Sequence, residues 1–253
     1  MHPPITRLIL AEWIKSKIWI LFLFGFFFAA LAGPLLSSAD LDPNMTAPAR
    51  AQWLFGFGFL LLFIYLPAFA TEFGSKQFRN GLRLFYRAQG VSDASYFGST
   101  VLGALVPALF VGVLLLAALI FLGIPNQSLM PKFQSVALTL LAAFAVIPFA
   151  VGLSQVIAPS IAFMAAMLIN LVGLYAPAGL EYLHETANPR LQYVVEIAMT
   201  FIPDLRFGDQ SLRVTFGWPG IDLLPWLAAC AYLLVLTIIS YAAGSILFRL
   251  RSV

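Results

Sequence analysis

Residues 133–180 read FQSVALTLLAAFAVIPFAVGLSQVIAPSIAFMAAMLINLVGLYAPAGL, 48 residues without one Asp, Glu, Lys or Arg. As a single straight helix rising 1.5 Å per residue this run would be about 72 Å long, more than twice the roughly 30 Å hydrocarbon core of a bilayer. It must hold two helices. The break is expected at Ser154-Gln155-Val156-Ile157-Ala158-Pro159-Ser160, where polar side chains meet a proline that removes a backbone donor.

The rest of the chain repeats the pattern. Residues 51–71, 94–131 and 223–248 carry no charge, and residues 18–49 carry only Asp40 and Asp42. Of 253 residues, 61% are hydrophobic and 10% charged, against roughly 25% charged in a soluble domain, so a water-soluble globule is excluded. A transmembrane barrel is excluded too, because its strands alternate polar and apolar over about ten residues, and these runs are apolar on every face. The expectation is one all-α polytopic membrane domain, residues 1–253, with six crossings at about 18–36, 51–71, 99–123, 133–154, 159–178 and 224–248. Cys230 is the one cysteine, which rules out a disulfide framework and a cysteine metal site.

Lys and Arg in short loops set the orientation of such a chain. With the N-terminus cytoplasmic, nine cations (Arg7, Lys15, Lys17, Lys76, Arg79, Arg83, Arg87, Arg249, Arg251) fall inside and five (Arg50, Lys132, Arg190, Arg206, Arg213) outside. Both termini are therefore expected to be cytoplasmic. Trp13 and Trp19 would mark the inner interface, Trp53 and Trp226 the outer. Ala30-Leu31-Ala32-Gly33 has the small-residue look of a leader cleavage site, but the expectation is an uncleaved first helix.

Segment 72–98 is the one sizeable cytoplasmic connector. Lys76, Arg79, Arg83 and Arg87 are spaced 3, 4 and 4 apart, which puts them on one face of a helix, with Phe78, Leu82 and Phe85 opposite. Two readings stand side by side: an interfacial anchor touching anionic lipid, or a stripe that docks a partner. Next comes Gln89-Gly90-Val91-Ser92-Asp93-Ala94-Ser95-Tyr96-Phe97, in which Ser92 is suited to cap a short helix begun by Asp93.

On these residues the chain resembles the ABC-2 type permeases, the membrane subunits of ATP-binding cassette exporters. In that family the second crossing ends near a glutamate, and a Gly-x-Ser-Arg-x-x-Phe-like stretch follows as the coupling helix that fits a groove on the ATPase. Glu72, Gly90, Ser92 and Phe97 match loosely, and Asp93 stands where the family usually has a basic residue. The resemblance implies that Glu72, Gly90, Val91, Ser92, Asp93, Ala94, Tyr96 and Phe97 couple to ATPase subunits. It also implies a cytoplasmic elbow at residues 1–17, short outer re-entrant helices in the extracytoplasmic segment 179–223, and a second permease copy or a sister permease as partner. ATP and Mg would sit on the partner ATPase, with no cofactor on this chain, in what the resemblance makes a bacterial inner membrane. Within the outer segment, residues 191–202 form an apolar run of 12 holding one charge, Glu196, too short to cross.

Catalytic signatures are missing: no Gly-x-Ser-x-Gly elbow, no His-Glu-x-x-His and no phosphate-binding Gly-x-x-x-x-Gly-Lys-Ser/Thr loop. Glu181-x-x-His184 with Glu185 has the spacing of half a carboxylate-bridged metal site, yet His2, the one other histidine, falls on the opposite side of the membrane, so solvated surface residues are the expectation and no metal. The spans are nearly free of ionisable groups, which argues against ion-coupled transport. Asn170, near the middle of the fifth crossing, is the costliest intramembrane polar group, suited either to an interhelical bond or to a substrate path. Pro67, Pro107 and Pro148 are expected to kink their crossings. The expected function is an exporter permease for a lipid-like or hydrophobic substrate, without nucleic-acid binding. An intramembrane or lipid-modifying enzyme and a passive scaffold subunit are the alternatives.

Overall fold

The computed structural model describes residues 3–37, 46–79, 81–122, 128–186 and 189–250. All regular structure among them is helical: α1 Pro3–Lys15, α2 Ile18–Ser37, α3 Thr46–Leu60, a π-helical turn Leu61–Tyr65, α4 Leu66–Arg79, α5 Leu82–Ala88, α6 Asp93–Leu122, α7 Leu129–Val156, α8 Pro159–Thr186, α9 Pro189–Phe201, a 3₁₀ turn Arg206–Gly208, α10 Ser211–Thr215 and α11 Leu223–Leu250. Among the described residues, five helices are long and apolar enough to cross a membrane, six if the bent pair α1 and α2 counts as one span. This is the architecture of a multi-pass membrane protein.

The 48-residue run divides where its polar and proline signals fall. The Ile157 N–H makes the last bond of α7, to the Leu153 carbonyl, while Ile157 itself is extended. Pro159 then opens α8 at the first helical position, where a missing N–H costs nothing. Between α1 and α2 the chain turns by 57° at Lys17, whose φ of 56° is unusual for a residue with a side chain.

α7 is the centre of the bundle and packs on α4, α6, α8 and α11. Its residues Leu138, Ala142, Ala143, Val146, Ile147 and Ala150 are buried. Lipid tails are as apolar as leucine, so close backbone approach and interhelical hydrogen bonds hold such helices together. The α7–α11 crossing shows both devices. Gly152 and Gly244 lie so close that a Cβ on either would overlap backbone of the facing helix, and the Phe149 N–H donates to Ser240 Oγ at 3.0 Å. Away from this contact α11 exposes apolar side chains such as Leu224, Val235 and Ile238.

α1 is docked. Ile5, Ile9 and Trp13, one turn apart on a single face, are buried. Ile9 packs where Gly103 leaves room on α6, the Thr6 hydroxyl donates to the Ser99 carbonyl, and Trp13 meets Phe110 edge-on at 5.2 Å. The charges Arg7, Glu12, Lys15 and Lys17 make no stripe, but the apolar residues do.

Candidate functional site

Where the chain passes from α4 to α6, local sequence builds a separate short helix. Gly81 precedes α5 with φ 67°, and Gly90 follows it with φ 80°, backbone conformations that a side chain would strain. The stop is a Schellman motif: Val91 N–H donates to the Tyr86 carbonyl and Gly90 N–H to that of Arg87. Ser92 then caps α6, its Oγ accepting from the Ser95 N–H at 3.2 Å, with Asp93 in the first turn favoured by the helix dipole.

Two expectations are corrected by this arrangement. Residues 90–97 are not a helix of their own: Gly90 and Val91 end α5, Ser92 caps α6, and Asp93, Ala94, Tyr96 and Phe97 belong to that long helix. Tyr96 and Phe97 are buried, which leaves Gly90, Ser92 and Ala94 exposed. Nor do the four cations share one helix: Lys76 and Arg79 belong to α4, which ends at Arg79, and Arg83 and Arg87 belong to α5, which begins at Leu82. Lys76 lies exposed on α4 and pairs with Glu72 at 2.9 Å, Arg87 is exposed on α5, and the Arg79 side chain is outside the described residues.

Arg83 points inward and is only 6% exposed. Its Nε donates to Asp93 Oδ1 at 3.3 Å, Nη2 lies 3.1 Å from Oδ2, and the guanidinium stacks 4.1 Å over the ring of Phe248 near the end of α11. Phe248 in turn touches Tyr96 and Phe97. One buried cation thus ties α5, the start of α6 and the end of α11 into a joint, while Leu84 and Phe85 of α5, 71% and 57% exposed, face away from it.

No family model, no curated protein and no solved structure matches the chain. Function therefore rests on the geometry of the molecule itself.

The other end of the bundle holds a second cluster. Arg206 grips Glu181 of α8 with both terminal nitrogens, at 2.7 and 2.6 Å, and also donates to Asp204 at 3.0 and 2.7 Å. The hydrogen bonds that Arg206 donates to Glu181 and Asp204 push its pKa above its already high value, so the guanidinium stays charged. The loop is also bonded to the helices beneath it: Leu205 N–H donates to the Gly173 carbonyl at 2.9 Å, Asp204 N–H to the Tyr232 hydroxyl at 2.8 Å, and the Thr139 hydroxyl to the Gly208 carbonyl at 2.8 Å. Gly173 is the residue four before Pro177, which has no N–H to give it, so the loop amide fills a gap that the proline opens.

His184 meets Glu196 of α9 at 3.2 Å while Glu181 is taken by Arg206. Of the two roles open to Asn170, the structure shows an interhelical bond: its amide donates to the Phe63 carbonyl at 3.0 Å. The sequence marks Arg206 only as an outside cation, and the pairings of Arg83 with Phe248 and of Arg206 with Glu181 and Asp204 are not legible in it. An aromatic residue beside Arg249 and a cation wedged between two acidic neighbourhoods were visible, but nothing local says that residues 83 and 248 touch.

Proposed function

We propose that this chain is the membrane-spanning permease subunit of an ATP-driven exporter of the ABC-2 type, working with a second permease and gripped by separate ATPase subunits at α5. The observation that carries the reading is the division of labour within α5. Its outer face offers exposed Leu84, Phe85 and Arg87 to a partner, and its inner face inserts Arg83 between two membrane-spanning helices. A pull on α5 would reach α6 and α11 directly through that joint. Docking therefore moves from residues 90–97 to α5, with Gly90, Ser92 and Ala94 at its edge.

The apolar spans favour a lipid-like or hydrophobic cargo over a charged one. ATP and Mg belong to the partner, since this chain lacks a phosphate loop. The sense of insertion that suits this reading has both termini and α5 in the cytoplasm, as the nine-to-five cation bias favours.

Purification of the tagged chain from its own membranes tests the proposal. ATP hydrolysis should copurify with it and disappear when the chain is isolated from its partners. Turnover by the isolated chain, or a chain that folds and functions with no ATPase attached, would overturn the subunit reading in favour of an enzyme or a scaffold.

A further inference from the structure

Among the described residues, the span at residues 46–79 is the one crossing whose backbone ladder changes register inside the bundle. Leu66 N–H bonds back to the Leu61 carbonyl, a π turn, and Pro67 follows at once with no N–H to donate. A π turn strands one carbonyl as the ladder returns to its ordinary spacing, and the proline strands another. Just beyond, the Thr71 hydroxyl bonds the carbonyls of Pro67 and Ala68 at 2.9 and 3.0 Å, a back-bond that bends helices.

The halves on either side belong to different neighbours. α3 packs mainly on α2, α6 and α10, whereas α4 packs mainly on α7 and α8. A weakened ladder between two differently anchored halves is where a helix bends. Across the gap, Asn170 of α8 is 2% exposed, and its amide satisfies the Phe63 carbonyl inside this stretch while its own Oδ1 has no partner. A buried amide using only its donor arm is explained by the carbonyl it serves.

We infer that residues 61–67 are a hinge in the second span and that Asn170 is the latch holding it in the observed form. The inference concerns how the bundle moves and does not depend on the reading of the chain as a permease. With the latch in place α3 and α4 keep one mutual angle. Without it, the Phe63 carbonyl loses its partner and the two halves follow their separate neighbours.

The test uses the full chain in lipid nanodiscs, in a Cys230→Ser background, with spin labels at Trp53 and Lys76, both exposed and about 35 Å apart along a straight helix. A single narrow distance is expected for the parent. Asn170→Leu should shift it by more than about 3 Å or add a second population, and Pro67→Ala, which restores an amide to the ladder and straightens it, should lengthen it. If Asn170→Leu does not fold, Pro67→Ala alone decides. Distributions that superimpose on the parent in every variant that folds would overturn the hinge.

Discussion

Arg83 and Arg206 close opposite ends of the bundle, and their surroundings differ in the one variable that sets the strength of an ion pair. The Arg83 side chain is 7% exposed and has one carboxylate and one aromatic face for company, whereas Arg206 is 32% exposed and is held by two carboxylates. By number of hydrogen bonds the Arg206 cluster is the richer. By consequence it is the weaker, because exposed ion pairs are screened and contribute about 0–1 kcal/mol, while removing one partner of a buried pair costs about 3–5 kcal/mol by leaving a desolvated charge behind. The end with α5 is held by a buried ion pair, the other end by a more exposed cluster that salt can screen.

The largest effect expected from this difference is at Arg83. Arg83→Met should destabilise the purified protein by about 3 kcal/mol, read from thermal or denaturant unfolding in detergent. Adding Asp93→Leu should recover much of the loss, since both members of the pair are then apolar. A cost for Arg83→Met no greater than that for Arg206→Met would break the comparison.

Gly244→Ala sharpens it from the packing side. The added methyl would press on the Pro148 carbonyl and on Phe97, which touches Phe248, so a loss of about 2 kcal/mol is expected. Neutral behaviour in the same unfolding assay would mean that α7 and α11 slide apart easily at this end.

At the opposite end, Arg206→Met should cost under about 1 kcal/mol, and the cost should shrink further at high salt. The observable consequence is local: amide exchange at residues 204–208 should speed up while that of α7 stays unchanged. Protection of those amides equal to the parent would show that the bonds to Gly173 and Tyr232 hold the loop without the arginine.

Much of this architecture was legible beforehand, and the exceptions have physical causes. The break in residues 133–180, the Ser92 cap and the helix near residues 191–202 all follow from local signals: a proline at a first helical position, a hydroxyl before an acidic first turn, a short apolar run. The charge on Glu72 places the end of the second crossing at residue 71, yet α4 continues to Arg79, since a helix can carry its charges beyond hydrocarbon once its backbone is paired. The third is expected to start at residue 99, and its helix starts at Asp93 for the same reason. The basic stripe fails at Gly81, whose φ of 67° precedes a new helix, α5, on which Arg83 turns inward. The joint itself was out of reach, because Arg83 meets Phe248 across most of the chain.

The proposed ATPase contact lies on the exposed face of α5, with Arg83 on its inner face. The most direct measurement compares the parent with Leu84→Asp/Phe85→Asp, purified gently from native membranes, for copurifying ATP hydrolysis and for thermal stability. Both side chains lie outside the packed core, so the melting profile should not change. The copurifying hydrolysis should be lost from the variant and retained by the parent. Equal hydrolysis in both, with α5 carrying two new charges on the proposed contact face, would contradict it.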